Sequence, residues 1–385
     1  MADAPTSNQA TASGRRTTPP FRADHVGSLL RPPELMHARE QFASQRISAQ
    51  ELRAAEDEAI TAIVKMQHEV GLQSATDGEF RRASWHMDFI YELGGIERVD
   101  GDIKVQFRNE QGGIEYTPAA IKVSDKVHLE HPIFARDFEF LQGLVADEVT
   151  PKLTIPSPSM VHYRGGRAMI DPEIYSGVEQ FWSDLSDAYA DQVRAVFELG
   201  CRYLQFDDTS LAYLNDPSQR EQMASKGEDA EHLHETYIAN INRALAGRPE
   251  GLAITTHLCR GNFRSSWAAE GGYDFVAEAL FGELDVDGFF LEYDDSRSGG
   301  FEPLRYVPSN KLVVLGLVTT KRGELESKDL LKRRIEEASR YIAIDQLCLS
   351  PQCGFSSTVE GNTLSYEEQV AKLELIVETA REVWG

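Results

Sequence analysis

The sequence predicts an α/β fold, a (β/α)8 or TIM barrel, and three observations support this prediction. Strand-like apolar runs alternate with amphipathic helix-like segments along most of the 385 residues, as in parallel strands joined by helical crossovers. Eight strand-like runs can be counted, and eight βα units close a barrel. No Gly-x-Gly-x-x-Gly motif follows the first run, which disfavours the competing doubly wound open sheet.

The eight predicted strands share a polar or turn residue at or near their carboxyl ends. They end at Ser28, Asp77, Pro156, Asp207, His257, Glu292, Val318 and Ser350. Hydrophobic periodicity predicts helices between and after them. These helices are expected near residues 51–70, 173–199, 228–246, 327–343 and 365–383.

The regular alternation is interrupted over residues 85–150. Alternating apolar and polar residues at 102–107 and 120–129 flank a Gly-containing turn at 109–113. This pattern predicts an inserted β-hairpin after the second strand, and a helix is expected near residues 133–146. Three roles are left open for the insertion: a lid, a partner surface or a dimer contact.

The predicted domain organisation is a single barrel with a short tail. Residues 1–20 are rich in Ala, Ser, Thr and Pro and have no hydrophobic period, which predicts a flexible tail before a catalytic domain at 21–385. No apolar run is long enough for a membrane span and no signal peptide is visible, so we expect a cytoplasmic protein. The oligomeric state is left open, including a homo-oligomer.

The formal net charge of −23 argues against nucleic acid as a partner, because phosphate contacts need a basic surface. The four cysteines are too few for a disulfide framework in a chain of this length. Cys201 and Cys348 lie inside apolar runs and are interpreted as buried small hydrophobic residues. Cys259 and Cys353 lie at the ends of such runs, next to polar residues and glycine.

Ionisable side chains occur at the exits of nearly all the predicted strands, and in a barrel these exits meet on one face. His257 and Cys259 are two residues apart in an extended segment, so their side chains point to the same side. Together with Glu292 and Cys353 they offer one nitrogen, one oxygen and two sulfur donors, which suits tetrahedral Zn²⁺. The sequence therefore predicts zinc as the cofactor, held by these four residues.

The charge of this ligand set indicates the chemistry. Two thiolates and a carboxylate leave a Zn²⁺ site at about −1, which disfavours activation of water and a metal-hydrolase function. Such a site is better suited to binding a substrate thiol as a nucleophilic thiolate. Two alternatives stay open: a structural zinc in a closed four-ligand site, and cysteines that are buried without binding metal.

The segments around these residues resemble the zinc motifs of the catalytic domain of cobalamin-independent methionine synthase. The resemblance rests on His-Leu-Cys at 257–259 followed by Gly-Asn, on Glu292, and on Pro-Gln-Cys-Gly at 351–354. Similarity at residues 25–28, 77–79 and 206–208 extends it from about residue 21 to the C-terminus. It implies a TIM barrel and a methyltransferase that binds homocysteine as a zinc-bound thiolate and methylates it to methionine.

The resemblance also implies roles for residues outside the metal site. Glu79 and Asp207 would lie near the amino group of the thiol substrate, and Asp207 is also predicted to be catalytic. Ser28 and its neighbouring backbone would meet the substrate carboxylate, and His25 belongs to the same predicted substrate-binding segment. Structural alternatives are a salt bridge of Glu79 with Arg81 or Arg82, and a structural carboxylate at 207 or 208.

The chain departs from the family on the methyl-donor side. Full-length methionine synthases of this type have two barrels and this chain has room for one, so the donor is left as methyltetrahydrofolate or a methylcorrinoid. The family's catalytic histidine after the seventh strand is replaced by the segment 318–322, where Lys321 is predicted to be catalytic, as an acid or an anion anchor; the alternative is an exposed charge. The second candidate function is an epoxyalkane:coenzyme M-type transferase, in which arginines such as Arg260 or Arg264 would bind the sulfonate of coenzyme M.

Overall fold

The structure is a computed structural model that describes residues 15–100, 105–109, 112–116, 120–262, 264–359 and 361–385. The strands are β1 (Ser74–Ala75), β2 (Leu93–Val99), β3 (Val105–Asn109), β4 (Gly112–Tyr116), β5 (Ala120–Leu129), β6 (Thr150–Pro156), β7 (Tyr203–Asp208), β8 (Ala253–Leu258), β9 (Gly288–Glu292), β10 (Leu312–Val318) and β11 (Leu347–Pro351). The α-helices are α1 (Pro33–Ala43), α2 (Ala49–Glu69), α3 (Met87–Ile90), α4 (Ala135–Gln142), α5 (Ser159–Tyr163), α6 (Val178–Glu198), α7 (Ser210–Tyr213), α8 (Pro217–Ser225), α9 (Leu233–Leu245), α10 (Ala277–Glu283), α11 (Lys328–Ala338) and α12 (Tyr366–Trp384).

Seven strands form one parallel sheet in the order β1-β6-β7-β8-β9-β10-β11. The predicted first strand is reduced to a single bridge between Ala23 and Leu349 of β11. The Asp24 N–H donates to the Leu349 carbonyl (3.0 Å), and the Leu349 N–H donates to the Arg22 carbonyl (2.8 Å). On the other side, the Ser74 hydroxyl of β1 donates to the Asp24 carboxylate (3.0 Å). This segment lies between β11 and β1, and the predicted TIM barrel is confirmed.

The barrel strands are buried along most of their length, as expected for parallel strands covered by helices, and only the first residues of β6 and β8 are partly exposed. In β10, for example, every residue from Leu312 to Val318 is buried. Two of the long outer helices begin with capping boxes, Ser48 with Glu51 at α2 and Ser365 with Glu368 at α12. The helices predicted near 51–70, 173–199, 228–246, 327–343 and 365–383 correspond to α2, α6, α9, α11 and α12.

The insertion after β1 contains two antiparallel ladders instead of one hairpin. Strand β2 pairs with β5, and β3 pairs with β4. The predicted strand at 120–129 is therefore present, but its partner is β2, since the run at 102–107 contributes to β3 and pairs locally with β4. Residues 102–104 and the tip of the predicted turn at 110–111 lie outside the described residues. Helix α4 follows β5 where a helix was predicted near 133–146.

Residues 1–14 of the predicted tail at 1–20 lie outside the described residues. Residues nearer the barrel make specific contacts: Arg16 is buried, its Nε donates to the Pro20 carbonyl (2.7 Å), and its own carbonyl accepts from Gln73 (2.8 Å). Packing on the barrel therefore begins before Phe21. None of the described helices combines the length and the apolar character that crossing a membrane would require.

Candidate metal centre

The four predicted metal ligands meet at the carboxyl end of the barrel. His257 lies in β8, Cys259 follows β8 directly, Glu292 is the last residue of β9, and Cys353 follows β11. Their candidate ligand atoms all lie within 4.8 Å of one another, and all four side chains are buried. The two sulfur atoms are 3.4 Å apart. These distances are short enough for one ion to contact all four donors.

Strand order explains why residues so distant in sequence converge. Strand β10 separates β9 from β11, and its Gly316 lies opposite both Glu292 and Ser350. A Cβ atom at Gly316 would lie 2.7 Å from the Gln352 Cα and 2.8 Å from the Leu291 carbonyl oxygen, so no larger residue fits without moving the backbone. Glycine at this position lets the strand ends that carry Glu292 and Cys353 approach each other.

The imidazole of His257 fits a metal-binding role. It is buried, and within the described part of the chain neither ring nitrogen makes a hydrogen bond. A buried polar atom without a partner is costly, and a metal ion would supply the missing interaction for one nitrogen. Burial opposes protonation of this ring, but the sulfur of Cys353 and nearby carboxylates raise its pKa overall.

The two thiols are chemically unequal. The sulfur atoms of Cys259 and Cys353 are hydrogen-bonded, and this contact holds the pKa of Cys353 well below its usual range, with His257 acting in the same direction. The same contact, together with burial, raises the pKa of Cys259. One thiolate is therefore already favoured at this position, which is the form that binds metal.

Hydrogen bonds with Arg260 and Tyr273 hold Glu292 in place. The Arg260 N–H donates to Glu292 Oε1 (3.0 Å), and the Arg260 guanidinium donates to the Glu292 carbonyl (2.9 Å). The Glu292 N–H donates to the Tyr273 hydroxyl oxygen (2.9 Å). Burial raises the pKa of Glu292, and the charge of Lys321 acts against this rise. Such outer contacts orient a carboxylate for metal binding.

A cavity of about 70 Å³ opens beside the cluster. The predicted site residues that line it are Ser28, Glu79, Asp207, His257, Cys259 and Cys353. Side chains that the sequence analysis did not select complete the wall, namely Trp85, His86, Phe107, Arg164, Tyr213 and Asn262. The cavity therefore brings most of the predicted residues together and adds an aromatic and basic side.

Two buried carboxylates face this cavity. Gln205 donates to Asp207 Oδ1 (2.6 Å), and Thr154 donates to Glu79 Oε1 (2.7 Å). Burial raises the pKa of Asp207 to about 7; the nearby His257 acts against this rise, and Glu79 adds to it. Burial likewise raises the pKa of Glu79. A bound cation would offset both effects, because it favours the charged form of each carboxyl.

The sequence left open that Glu79 only forms a salt bridge and that Asp207 or Asp208 is a structural carboxylate. Glu79 lies 3.5 Å from Arg82, so it forms a salt bridge and also lines the cavity. Asp208, in contrast, points away into a set of local donors: the Ser210 hydroxyl (2.9 Å), the Leu211 N–H (2.8 Å), Ser157 and Ser159. Asp208 is thus the carboxylate that organises the loop after β7, and Asp207 is the one that faces the cavity.

The remaining predicted residues take different positions. Ser28 packs closely against Gly354, where a Cβ atom would collide with its hydroxyl. His25 is buried outside the cavity lining, and burial lowers its pKa to about 4. Lys321 also lies outside the lining, with its Nζ 3.1 Å from Asp294 Oδ2. The substrate role of His25 and the catalytic role of Lys321 stay predictions.

The residues that the sequence did not indicate come from the insertion and from the connections after the barrel strands. Trp85 and His86 begin the insertion and stack with ring centroids 4.4 Å apart. Phe107 comes from β3, and Arg164 and Tyr213 come from the connections after β6 and β7. The rule that barrel active sites are built from loops after the strands would have drawn attention to these connections, but not to individual side chains.

Comparison with known proteins shows the family to which the chain belongs. The family described as the cobalamin-independent synthase catalytic domain matches residues 21–382. The chain belongs to this family. It is 49% identical to the uncharacterized protein YxjG of Bacillus subtilis, over 96% of each chain. It is 22% identical to the 5-methyltetrahydropteroyltriglutamate–homocysteine methyltransferase of Bacillus licheniformis, over 94% of this chain and 42% of that protein.

Solved structures give the same fold. A candidate vitamin-B12-independent methionine synthase from Listeria monocytogenes superposes with a TM-score of 0.76 at 40% identity, covering 96% of this chain and 99% of the other. A B12-independent methionine synthase from Shewanella, solved with selenomethionine, has a TM-score of 0.69 at 18% identity over 94% and 97% of the two chains. The family membership and the barrel are therefore established together.

Proposed function

We propose that the protein is a zinc-dependent methyltransferase that methylates homocysteine to methionine. The observation that carries this proposal is the position of the His257, Cys259, Glu292 and Cys353 cluster beside the two cavity-facing carboxylates, Glu79 and Asp207. This arrangement offers a binding place for sulfur at one end of a small cavity and for an ammonium group nearby. An amino-acid thiol carries both groups on one short molecule.

The donor set supports zinc as the resident metal. Two cysteines, one histidine and one glutamate supply the nitrogen, sulfur and oxygen ligands that zinc prefers, and the unpartnered nitrogens of His257 leave a place for it. Zinc, when bound, would supply a Lewis acid that keeps a substrate thiol deprotonated at neutral pH. Glu292 would be the carboxylate ligand of the ion, beside the sulfur ligands Cys259 and Cys353 and the nitrogen ligand His257.

The protein residues would then orient the substrate. Glu79 and Asp207 accept hydrogen bonds from the substrate ammonium, and Ser28 with its neighbouring backbone receives the carboxylate. The sulfur atom, as thiolate, attacks the methyl carbon of the donor, so that a new S–C bond forms. The bond from that carbon to the donor atom breaks, and its electron pair stays on the donor. Positioning of sulfur and methyl carbon in line contributes much of the rate.

The coenzyme M alternative is less well supported by the cavity. Coenzyme M has a sulfonate and no ammonium group, so it would bring a second anion towards the two buried carboxylates and no cation to offset them. Arg260, one of the arginines suggested for a sulfonate, is buried against the Tyr273 ring and donates to the Glu292 carbonyl. One of its guanidinium nitrogens, Nη1, already holds the backbone of a candidate metal ligand.

Zinc X-ray absorption before and after addition of homocysteine tests the proposal. We expect one added Zn–S contact that replaces a Zn–O contact, and formation of methionine when methyltetrahydrofolate or methylcobalamin is supplied. Coenzyme M with the same donors, or with an epoxide, is the control thiol and should give little product. An absorption spectrum that does not change with any thiol would indicate a structural zinc and would contradict the proposal.

A further inference from the structure

The first barrel segment, residues 23–31, is held to its neighbours by isolated contacts. Within the described residues it joins β11 by one strand-type bridge. Nearer the metal centre, the Leu29 N–H donates to the Gly78 carbonyl (3.1 Å), and the Phe355 N–H donates to the Ser28 carbonyl (2.9 Å). The spacing between the loop after β1 and the loop after β11 is therefore not set by a continuous strand ladder.

The guanidinium of Arg31 lies between these two loops and binds both. Its Nη2 donates to the carbonyls of Glu79 (2.7 Å) and Arg82 (2.8 Å) in the loop after β1. Its Nη1 donates to the Ser356 hydroxyl (2.8 Å) and the Thr358 carbonyl (3.2 Å) in the loop after β11. Burial lowers the pKa of Arg31 only to about 10, so the guanidinium stays charged at neutral pH. Hydrogen bonds from a charged donor are stronger than those between neutral groups.

Both loops that Arg31 joins carry side chains of the metal-site cavity. Glu79 lines the cavity from the loop after β1, and Ser357 and Thr358 line it from the loop after β11. Ser357 Oγ also lies 3.7 Å from the sulfur of Cys353. Arg31 is not among the described residues that line the cavity. It can therefore act on a bound molecule only through the residues that it holds.

The backbone of Glu79 has a conformation that depends on its surroundings. Its φ is +60°, in the left-handed region that residues with a Cβ atom rarely adopt. Such strained residues persist only where neighbouring groups hold them, and they concentrate at functional sites. The carbonyl of Glu79 is held by Arg31, and its N–H donates to Asp77 Oδ1 (2.9 Å). Without Arg31 the peptide unit after Glu79 would be freer to rotate, and the carboxylate would lose its fixed direction.

We propose that Arg31 is a positioning residue that fixes the Glu79 carboxylate towards the cavity and thereby favours thiols that carry an ammonium group. The selection of the thiol rests on the proposed function, in which Glu79 receives the ammonium group of homocysteine. A carboxylate gains most from a cation when it is already held in place before binding. A thiol without an ammonium group makes no use of Glu79, so its binding should not depend on Arg31.

Binding of two thiols to the zinc-loaded full chain tests the selection. The matched ligand is 4-mercaptobutanoate, which is homocysteine without its amino group. Arg31→Met should raise the dissociation constant of homocysteine by about tenfold and that of 4-mercaptobutanoate by less than about twofold. Arg31→Lys keeps the charge but has no fork to span both loops, so it should recover only part of the affinity. An equal loss for the two thiols in Arg31→Met would overturn the selective role.

The control variant is Arg22→Met, because Arg22 makes similar contacts at the opposite end of the barrel. Its Nη1 donates to the carbonyls of Asp345 (3.1 Å) and Leu347 (2.6 Å), just before and at the start of β11. This variant loses the same kind of side chain and the same kind of hydrogen bond. It should leave the ratio of the two dissociation constants as it is in the unchanged protein.

A double-mutant cycle shows whether Arg31 acts through Glu79. In the Glu79→Gln background, Arg31→Met should weaken homocysteine binding by less than about a further twofold, because the charge that Arg31 positions is already absent. Losses that multiply in the double variant would mean that Arg31 acts by another route, and they would contradict the proposal.

Backbone hydrogen exchange separates failure of this assignment from failure of the proposed function. Arg31→Met should speed exchange at residues 78–82 and 355–358 together, by about tenfold, and Arg22→Met should not. Unchanged exchange and an unchanged thiol ratio in Arg31→Met would overturn the positioning role and leave the proposed function standing. If homocysteine does not bind the unchanged protein, the proposed function and the selection of the thiol both fail, and the exchange rates still decide whether Arg31 holds the loops. Thermal unfolding establishes that each variant is folded, and Arg31→Lys serves for the same measurements if Arg31→Met is not.

Discussion

The metal side and the opposite side of the candidate active site are constructed differently. On the metal side, the candidate ligands lie at the ends of the barrel strands β8, β9 and β11. Three hydrogen bonds, one to the carboxylate and two to the backbone, hold Glu292 there. On the opposite side, the wall comes from the insertion and from the connections after β6 and β7. There, His86, Arg164 and Tyr213 have buried polar atoms without partners among the described residues.

This difference separates two functions of the site. Strand ends are held by the sheet and vary little in position, so they suit a metal cluster that requires donors within a few tenths of an ångström. Loops and insertions change more readily, so they suit the part of the site that selects a particular donor molecule. We therefore expect changes on the metal side to abolish metal binding, and changes on the opposite side to alter ligand choice.

The largest effect is expected for Cys353→Ser. Serine is a poor zinc ligand, and the variant also loses the low-pKa sulfur of the cluster, so zinc affinity should fall by more than about 100-fold, beyond the usual effect of outer-shell changes. Metal content after dialysis and competition with a chelator measure this change. Cys201→Ser is the control, because the Cys201 sulfur donates to the Tyr203 carbonyl far from the cluster. Equal zinc retention in both variants would refute the metal centre.

The free energy of unfolding should depend on pH through a buried neutral histidine in the connection after β6. His162, in α5, contacts the Tyr237 hydroxyl (3.1 Å), and burial, followed by the charges of Lys226 and Arg167, lowers its pKa to about 4. The unfolded chain therefore binds the proton first as the pH falls below about 6.5. Stability from this group is complete above that pH and is lost on the way to pH 4.

Replacing this histidine tests the sign and size of that effect. Between pH 7.5 and 4.5 the unchanged protein should lose about 2.5 kcal/mol of unfolding free energy more than His162→Phe does. Urea denaturation at the two pH values measures the difference. The same loss in both proteins would show that His162 is already protonated, or does not titrate, in the folded state.

Asp207→Asn should weaken homocysteine binding by about 30-fold, because one charged hydrogen bond to the ammonium, worth about 2 kcal/mol, is removed. Isothermal titration with the zinc-loaded protein measures the dissociation constant. A thiol acid without an amino group is the matched control ligand and should bind both proteins similarly. Asp208→Asn is the matched variant: it should lower the unfolding temperature through lost loop contacts and leave the substrate specificity unchanged. No change in homocysteine affinity would remove Asp207 from the substrate site.

The smallest effect is expected for Lys321. This residue pairs with Asp294 and its charge acts against the pKa rise of Glu292. Lys321→Met should therefore lower kcat/KM by about tenfold, a barrier increase of about 1.4 kcal/mol. Lys321→Arg keeps the charge and should retain most of the activity. A loss of a thousandfold or more in both variants would instead favour direct proton transfer by Lys321.

Local sequence patterns were sufficient for the parts of the site that depend on strand ends. Periodicity located the barrel strands and outer helices, and a polar residue at each strand exit indicated which side chains would converge. His257, Cys259, Glu292 and Cys353 could be selected from residue type, because few side chains bind zinc. Asp207 was selected through the family resemblance, because local patterns do not distinguish it from Asp208. That distinction depends on which carboxylate the Ser157 and Ser159 hydroxyls reach.

Pairing in the insertion and the wall opposite the metal side were decided only by the tertiary structure. The alternation at 120–129 predicts a strand but not its partner, because β2 is separated from β5 by the whole β3–β4 ladder. His86 and Arg164 have no shared pattern in the sequence. They line one cavity only because the insertion packs against the connection after β6. The sequence alone thus determined the barrel and the candidate ligand set, whose signals are local, whereas the opposite side of the site depends on contacts between distant segments.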